Sequence, residues 1–191
     1  MIKVFIDGKE GTTGLRIYDR LCDRDDIELI ILPEEERKNA EQRRRAINES
    51  DISFLCLPDA AAIEAEQMAE NPNTVIIDTS TAHRTNPGWA YGFPELSKGH
   101  LQAVQESKRI AVPGCHAGGF IALIDPLVKG GILPRSALLT SYSITGYSGG
   151  GKKMIVEYES PERDPEYDSP RHYGPVSYTH LRAHETRSNL V

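Results

Sequence analysis

Apolar residues along the chain fall into two alternating rhythms. Short, nearly continuous apolar runs at 3–6, 27–32, 52–57, 74–77 and 109–112 read as buried β-strands. Between them lie segments with helical features. One carries Leu15, Ile17, Tyr18 and Leu21, one is a polar stretch at 39–48, and one is alanine-rich at 60–69. The last begins at Cys115 and carries Phe120, Ile121, Leu123, Ile124, Leu127 and Val128. Asp59 is the expected N-cap of the alanine-rich helix, and Glu70-Asn71-Pro72 its stop. Residues 33–38 read as a charged loop. Residues 79–92 read as a long loop carrying Ser80, His83, Arg84 and Trp89. Strands alternating with helices predict an α/β fold, a Rossmann-type doubly wound parallel sheet covered on both faces.

Beyond the helix that starts at Cys115 the texture changes. Residues 137–144 alternate around Leu138, Leu139, Tyr142 and Ile144, which predicts the first strand of a second, α+β domain. Residues 145–153 form a donor-rich loop expected to be flexible, and 157–174 show no clear element. Residues 176–191 lack apolar periodicity and crowd in Arg, His, Thr and Ser. They resemble translated adaptor sequence and are expected to be non-native. The expected division is therefore 1–114, an incomplete domain at 115–175, and a tail at 176–191.

Composition narrows the partners. The 191 residues carry a formal net charge of -6, which gives no reason to expect a nucleic-acid partner. No apolar run approaches membrane-span length, so no membrane partner is expected. The N-terminus runs straight into a strand without a signal peptide's apolar core, which points to the cytoplasm. Cys22, Cys56 and Cys115 are too few for a disulfide framework and lack metal-ligand spacing, so no metal site is expected.

Gly8, Gly11 and Gly14 follow the first strand and open the first helix. Glycines there let the backbone approach a pyrophosphate, which the helix N-terminus stabilises. Thr12 and Thr13 supply amides in the same turn. Glu34, about 20 positions on, suits a ribose 2′-hydroxyl, whereas Arg37 and Lys38 in the same loop suit a 2′-phosphate. The corners Cys56-Leu57-Pro58 and Asp78-Thr79-Ser80 close the third and fourth strands, where ligands of parallel sheets bind. Cys56 also fits a buried core thiol, and Asp78 and Ser80 a turn cap. Pro113-Gly114 is a turn, so Cys115 is expected at a strand-to-helix corner, where the helix end favours a thiolate nucleophile. His116 is rejected as its base, because neighbours on a helix point about 100° apart. Ser141, Ser143, Ser148, Gly149, Gly150 and Gly151, with Lys152 behind them, offer donors to a phosphate or oxyanion.

These stretches, in order, resemble the N-acetyl-gamma-glutamyl-phosphate reductases, in their shorter bacterial form. The matching residues are 5–8 with 11–15, Cys56-Leu57-Pro58-Asp59, residues 78–84, Tyr91 to Leu96 by sequence, Pro113-Gly114-Cys115, and Gly146 through Lys152. The wider superfamily includes aspartate-semialdehyde and glyceraldehyde-phosphate dehydrogenases. The resemblance implies an NADP-dependent enzyme of arginine biosynthesis that acts on a small acyl phosphate and forms homo-oligomers, with Cys115 as nucleophile. It implies cofactor contacts at Gly8, Gly11, Thr12, Thr13, Gly14, Arg37, Lys38, Cys56, Leu57, Pro58, Ser80, Gly149 and Gly150. Substrate or phosphate contacts are implied at Arg84, Ser143, Ser148 and Gly151. The family's acid/base histidine sits in a His-Lys-His- or His-Arg-His-like motif, which this chain lacks. The chain is therefore expected to be inactive as it stands. The alternatives are an NADP-binding fragment without catalysis, or a related semialdehyde dehydrogenase of aspartate-semialdehyde or aminoadipyl type. A cysteine hydrolase is a weaker reading, opposed by the nucleotide pattern.

Overall fold

The computed structural model describes residues 1–9 and 11–170. A six-stranded sheet is built from β1 (Ile2–Asp7), β2 (Ile27–Ile30), β3 (Ile52–Leu55), β4 (Val75–Asp78), β5 (Ala90–Tyr91) and β6 (Arg109–Ala111). The strands run parallel in the order β2-β1-β3-β4-β6-β5. The helices are α1 (Thr12–Leu21), α2 (Ala40–Glu49), α3 (Asp59–Gln67), α4 (Lys98–Glu106), α5 (Cys115–Lys129) and α6 (Gly151–Glu159). The chain divides into two compact units, Met1–Gly118 and Gly119–Val191. No helix among the described residues is long and apolar enough to cross a membrane.

The first unit is the predicted doubly wound sheet. Successive residues Val4, Phe5, Ile6 and Asp7 are all buried, as a strand covered on both faces requires. Phe5, Leu55 and Ile76 from the sheet pack with Ala46 and Ile47 of α2 and with Ala65 and Met68 at the end of α3. Local chemistry sets the helix ends. The Asn39 side chain accepts from the amides of Glu41 and Gln42 and starts α2. Asn48 ties α2 to the end of α3: its side-chain oxygen accepts from the Glu70 and Asn71 amides, and its nitrogen donates to the Met68 carbonyl.

Two details differ from the sequence pattern. Asp59 is the first residue of α3 and Pro58 is its N-cap. The Asp59 carboxylate accepts instead from the Thr81 amide at 2.9 Å and from the Thr81 hydroxyl, so it anchors a neighbouring loop. In addition, β5 lies inside the stretch read as a long loop. It is only two residues long and has one strand neighbour, so it leaves no apolar run to detect.

The second unit departs further. Residues 137–144 form no strand, and Leu138, Tyr142 and Ile144 are 101%, 85% and 83% exposed. Alternation specifies which face of a strand is apolar, but a strand also needs a neighbour to pair with. The donor-rich loop is a single tight turn, Tyr147–Gly150, running into α6, so Gly151, Lys152 and Lys153 begin a helix. Limited proteolysis of the 191-residue chain is expected to cut first within 137–146. Equal protection through to residue 170 would contradict this. The tail read at 176–191 lies outside the described residues.

Candidate active site

The strand order reverses between β1 and β3, because β1 is followed by β2 on one side and the chain then returns to the other. In open α/β sheets the carboxyl ends of the strands at such a switch are the ligand crevice. The glycine turn lies there. Gly8 has φ +82°, and a Cβ on it would sit 2.2 Å from the Cys56 carbonyl oxygen. A Cβ on Gly14 would sit 2.5 Å from the Gly8 carbonyl oxygen. The turn is thus pressed between β3's exit and the start of α1, with no room for side chains. The Gly11 amide donates to the Gly8 carbonyl, and the Leu15 amide donates to the Gly11 carbonyl. The amides of Thr12, Thr13 and Gly14 precede that first helical bond and face outward along the helix end. This cradle fits a pyrophosphate.

Beneath the turn is a pair that the sequence pattern did not reveal. Arg43 of α2 donates through Nε to the Asp7 carboxylate at 3.0 Å, with Nη2 at 2.9 Å from the same oxygen, and both residues are buried. The available signal was spacing, since Arg43 falls on the helix face that also carries Ala46 and Ile47. Burial raises the Asp7 pKa above its ordinary 3.8, and the Arg43 hydrogen bond offsets only part of this. Here desolvation outweighs attraction. The native state therefore holds the Asp7 proton to higher pH than the unfolded chain. Its contribution to stability falls as pH rises through the window above the ordinary value. Breaking the pair by Asp7→Asn is expected to cost about 3–5 kcal/mol, while Asp7→Asn with Arg43→Met recovers most of it. Urea titration followed by Trp89 fluorescence measures this. A loss under about 1 kcal/mol for the single variant would contradict it.

Along the same sheet edge the other predicted corners follow. The Cys56 amide donates to the Asp7 carbonyl, and burial pushes the Cys56 thiol up to about 11, as befits a packed thiol rather than a nucleophile. Asp78 is fully buried at the end of β4. Its carboxylate accepts from the Ser80 amide (2.9 Å) and hydroxyl (2.7 Å), and lies 2.7 Å from His83 Nδ1. The His83 ring stacks on Trp89 at 4.0 Å. Ser80 is thereby held at the edge, but its hydroxyl is engaged by Asp78. Arg84 donates to two backbone carbonyls, those of Val112 and Thr79. Arg37 is half-buried and Lys38 exposed, in the turn after β2.

Cys115 is exposed and opens α5 immediately beyond β6. The Gly118 amide donates to the Gly114 carbonyl, so the helix begins at this corner. His116 Nε2 is buried, and Cys115 is exposed. Ser143, Ser148, Gly149, Gly150 and Gly151 belong to the second unit. There Ser143 is exposed in a stretch without regular structure, and the others mark the start of α6.

Comparison with known proteins identifies this arrangement. Residues 31–104 match the semialdehyde dehydrogenase NAD-binding domain. A Burkholderia ambifaria N-acetyl-gamma-glutamyl-phosphate reductase is 49% identical over 157 residues, covering 82% of this chain and 50% of that protein. A Chelativorans reductase is 48% identical over 191 residues, covering 99% of this chain and 61% of its own length. The chain is a homologue of the N-acetyl-gamma-glutamyl-phosphate reductases. It spans about half the length of the curated relatives it matches. In fold it resembles aspartate semialdehyde dehydrogenase II from Vibrio cholerae, with a TM-score of 0.62 at 15% identity, covering 91% of this chain and 55% of that one. The Francisella tularensis enzyme gives 0.58 at 15% identity, over 95% and 55%. The similarity to these reductases and the fold agree with the resemblance read from the motifs, and residues 31–104 of the first unit match an NAD-binding domain.

Proposed function

We propose that this chain carries the nucleotide-binding part and the nucleophile of an NADP-dependent reductase acting on N-acetyl-glutamyl 5-phosphate. The supporting observation is that exposed Cys115 opens a helix on the sheet edge that also bears the glycine cradle. Three strand spacings, about 14 Å, separate the two. The Cys115 thiolate attacks the acyl carbonyl, the carbon–oxygen bond to phosphate breaks, phosphate leaves, and a thioester forms. When bound, the reduced nicotinamide supplies the hydride that converts the thioester into the semialdehyde. The cradle at Gly8, Gly11, Thr12, Thr13 and Gly14 holds the pyrophosphate. Arg37 and Lys38 hold the 2′-phosphate that separates NADP from NAD. The walls of that cradle are Cys56-Leu57-Pro58 and Ser80. Taken by itself, the second unit offers Ser143, Ser148 and the Gly149–Gly151 turn as donors to an anion.

The chain lacks a His-Lys-His or His-Arg-His motif, so complete turnover is expected to be slow, by on the order of 10² to 10⁴. Titrating NADPH and NADH by fluorescence, then assaying phosphate-dependent oxidation of N-acetylglutamate semialdehyde, tests these points separately. Tighter binding of NADPH than of NADH, with weak turnover, is the expected result. Absence of nucleotide binding would overturn the proposal.

A further inference from the structure

We propose that Lys9 and Tyr18 strap the glycine turn to the flank of α1 and so hold the nucleotide cradle in its binding shape, an inference that rests on that turn taking the pyrophosphate. Lys9 lies within the turn, between Gly8 and Gly11. Its ammonium sits over the Tyr18 ring, 3.7 Å from the ring centroid, well within the range of a cation–π contact. Tyr18 stands one helical turn beyond Gly14, so the two share a face of α1. A Cβ on Gly14 would lie 2.7 Å from the Lys9 Cα, so the Lys9 backbone rests directly on that face. Bare Gly14 lets the turn come down on the helix, and the Tyr18 ring then meets the Lys9 side chain on the same face.

The contact decides what the charge does. A lysine in such a turn could in principle serve a phosphate. Here its ammonium is engaged at the side of α1, whereas the amides that face an anion open at the helix end. Both residues are half-buried, which strengthens the attraction over that of a fully hydrated pair. Within the turn the Gly11 amide donates to the Gly8 carbonyl at 2.9 Å. That bond closes the turn on itself, and the strap fastens the closed turn to the helix. A turn already seated on α1 has less freedom to lose when a nucleotide binds, and affinity gains accordingly.

The test is a double-mutant cycle on NADPH affinity, read by fluorescence titration of the full 191-residue chain. Lys9→Met keeps the stem and removes the charge, and Tyr18→Leu removes the ring. Each is expected to weaken binding about two- to fivefold, the range of a partly exposed cation–π contact. The double variant is expected to bind no worse than either single one, because both remove the same contact. Lys9→Arg and Tyr18→Phe keep a cation and a ring face, and each is expected to bind as wild type does. Urea midpoints from Trp89 report folding of every variant. A loss in Lys9→Met without one in Tyr18→Leu, fading at high salt, would overturn the strap in favour of a phosphate ligand. Additive losses, or unchanged affinities with a lowered urea midpoint, would overturn it as well. No NADPH binding by the wild-type chain would overturn the cradle reading itself, and the strap with it.

Discussion

Gly8→Ala is expected to weaken NADPH binding by about 100-fold or more, equivalent to about 2.7 kcal/mol. Two costs add at this position. The backbone has φ +82°, which an L side chain adopts at a cost of about 1–2 kcal/mol. The new methyl would also lie 2.2 Å from the Cys56 carbonyl oxygen, well inside contact distance, and the obstacle is backbone rather than a movable side chain. Relief requires shifting either the turn or β3's exit. The Cys56 amide is bonded to the Asp7 carbonyl, so β3's exit cannot move without loosening β1. Strain therefore goes into the turn, which is the surface proposed to hold the pyrophosphate. Fluorescence titration reads the affinity, and Trp89 reads the folding of the first unit separately. An affinity within threefold of wild type would show that the cradle does not set binding.

Cys115→Ser is expected to abolish acylation by the acyl phosphate, with a fall on the order of 10³ or more. A serine hydroxyl at the same helix end is protonated near neutral pH and is therefore a far weaker nucleophile than a thiolate. His83 is engaged with Asp78 and stacked on Trp89. Cys56 does not substitute, because burial holds it as a thiol with its pKa raised to about 11. Nucleotide binding to Cys115→Ser should match wild type, since the cradle lies at β1 and the thiol beyond β6. Loss of both together would mean a folding defect instead.

Much of the first unit was legible because its strands are buried on both faces and so write themselves as apolar runs. The glycine spacing marked the tight turn after β1 because Gly8 takes a backbone geometry, φ +82°, that few residues allow. What escaped notice depends on contacts distant in sequence. The Asp7–Arg43 pair joins a strand to a helix 36 residues on, and nothing local distinguishes Arg43 from the neighbouring Arg44 and Arg45. Asp59 reads as a cap, yet it is recruited by Thr81, 22 residues away. Arg84 reads as a charge available to an anion, and its bond to the Val112 carbonyl spans 28 residues. In the second unit the pattern at 137–144 names an apolar face, but the described residues provide no strand for it to join.

The most direct measurement is the mass of the Cys115 peptide after incubation of the chain with N-acetyl-glutamyl phosphate generated in situ. The account predicts an N-acetylglutamyl adduct on Cys115, released by hydroxylamine as a thioester should be and missing from Cys115→Ser. Absence of that adduct from the folded, NADPH-binding chain, or an adduct that persists in Cys115→Ser, would contradict it.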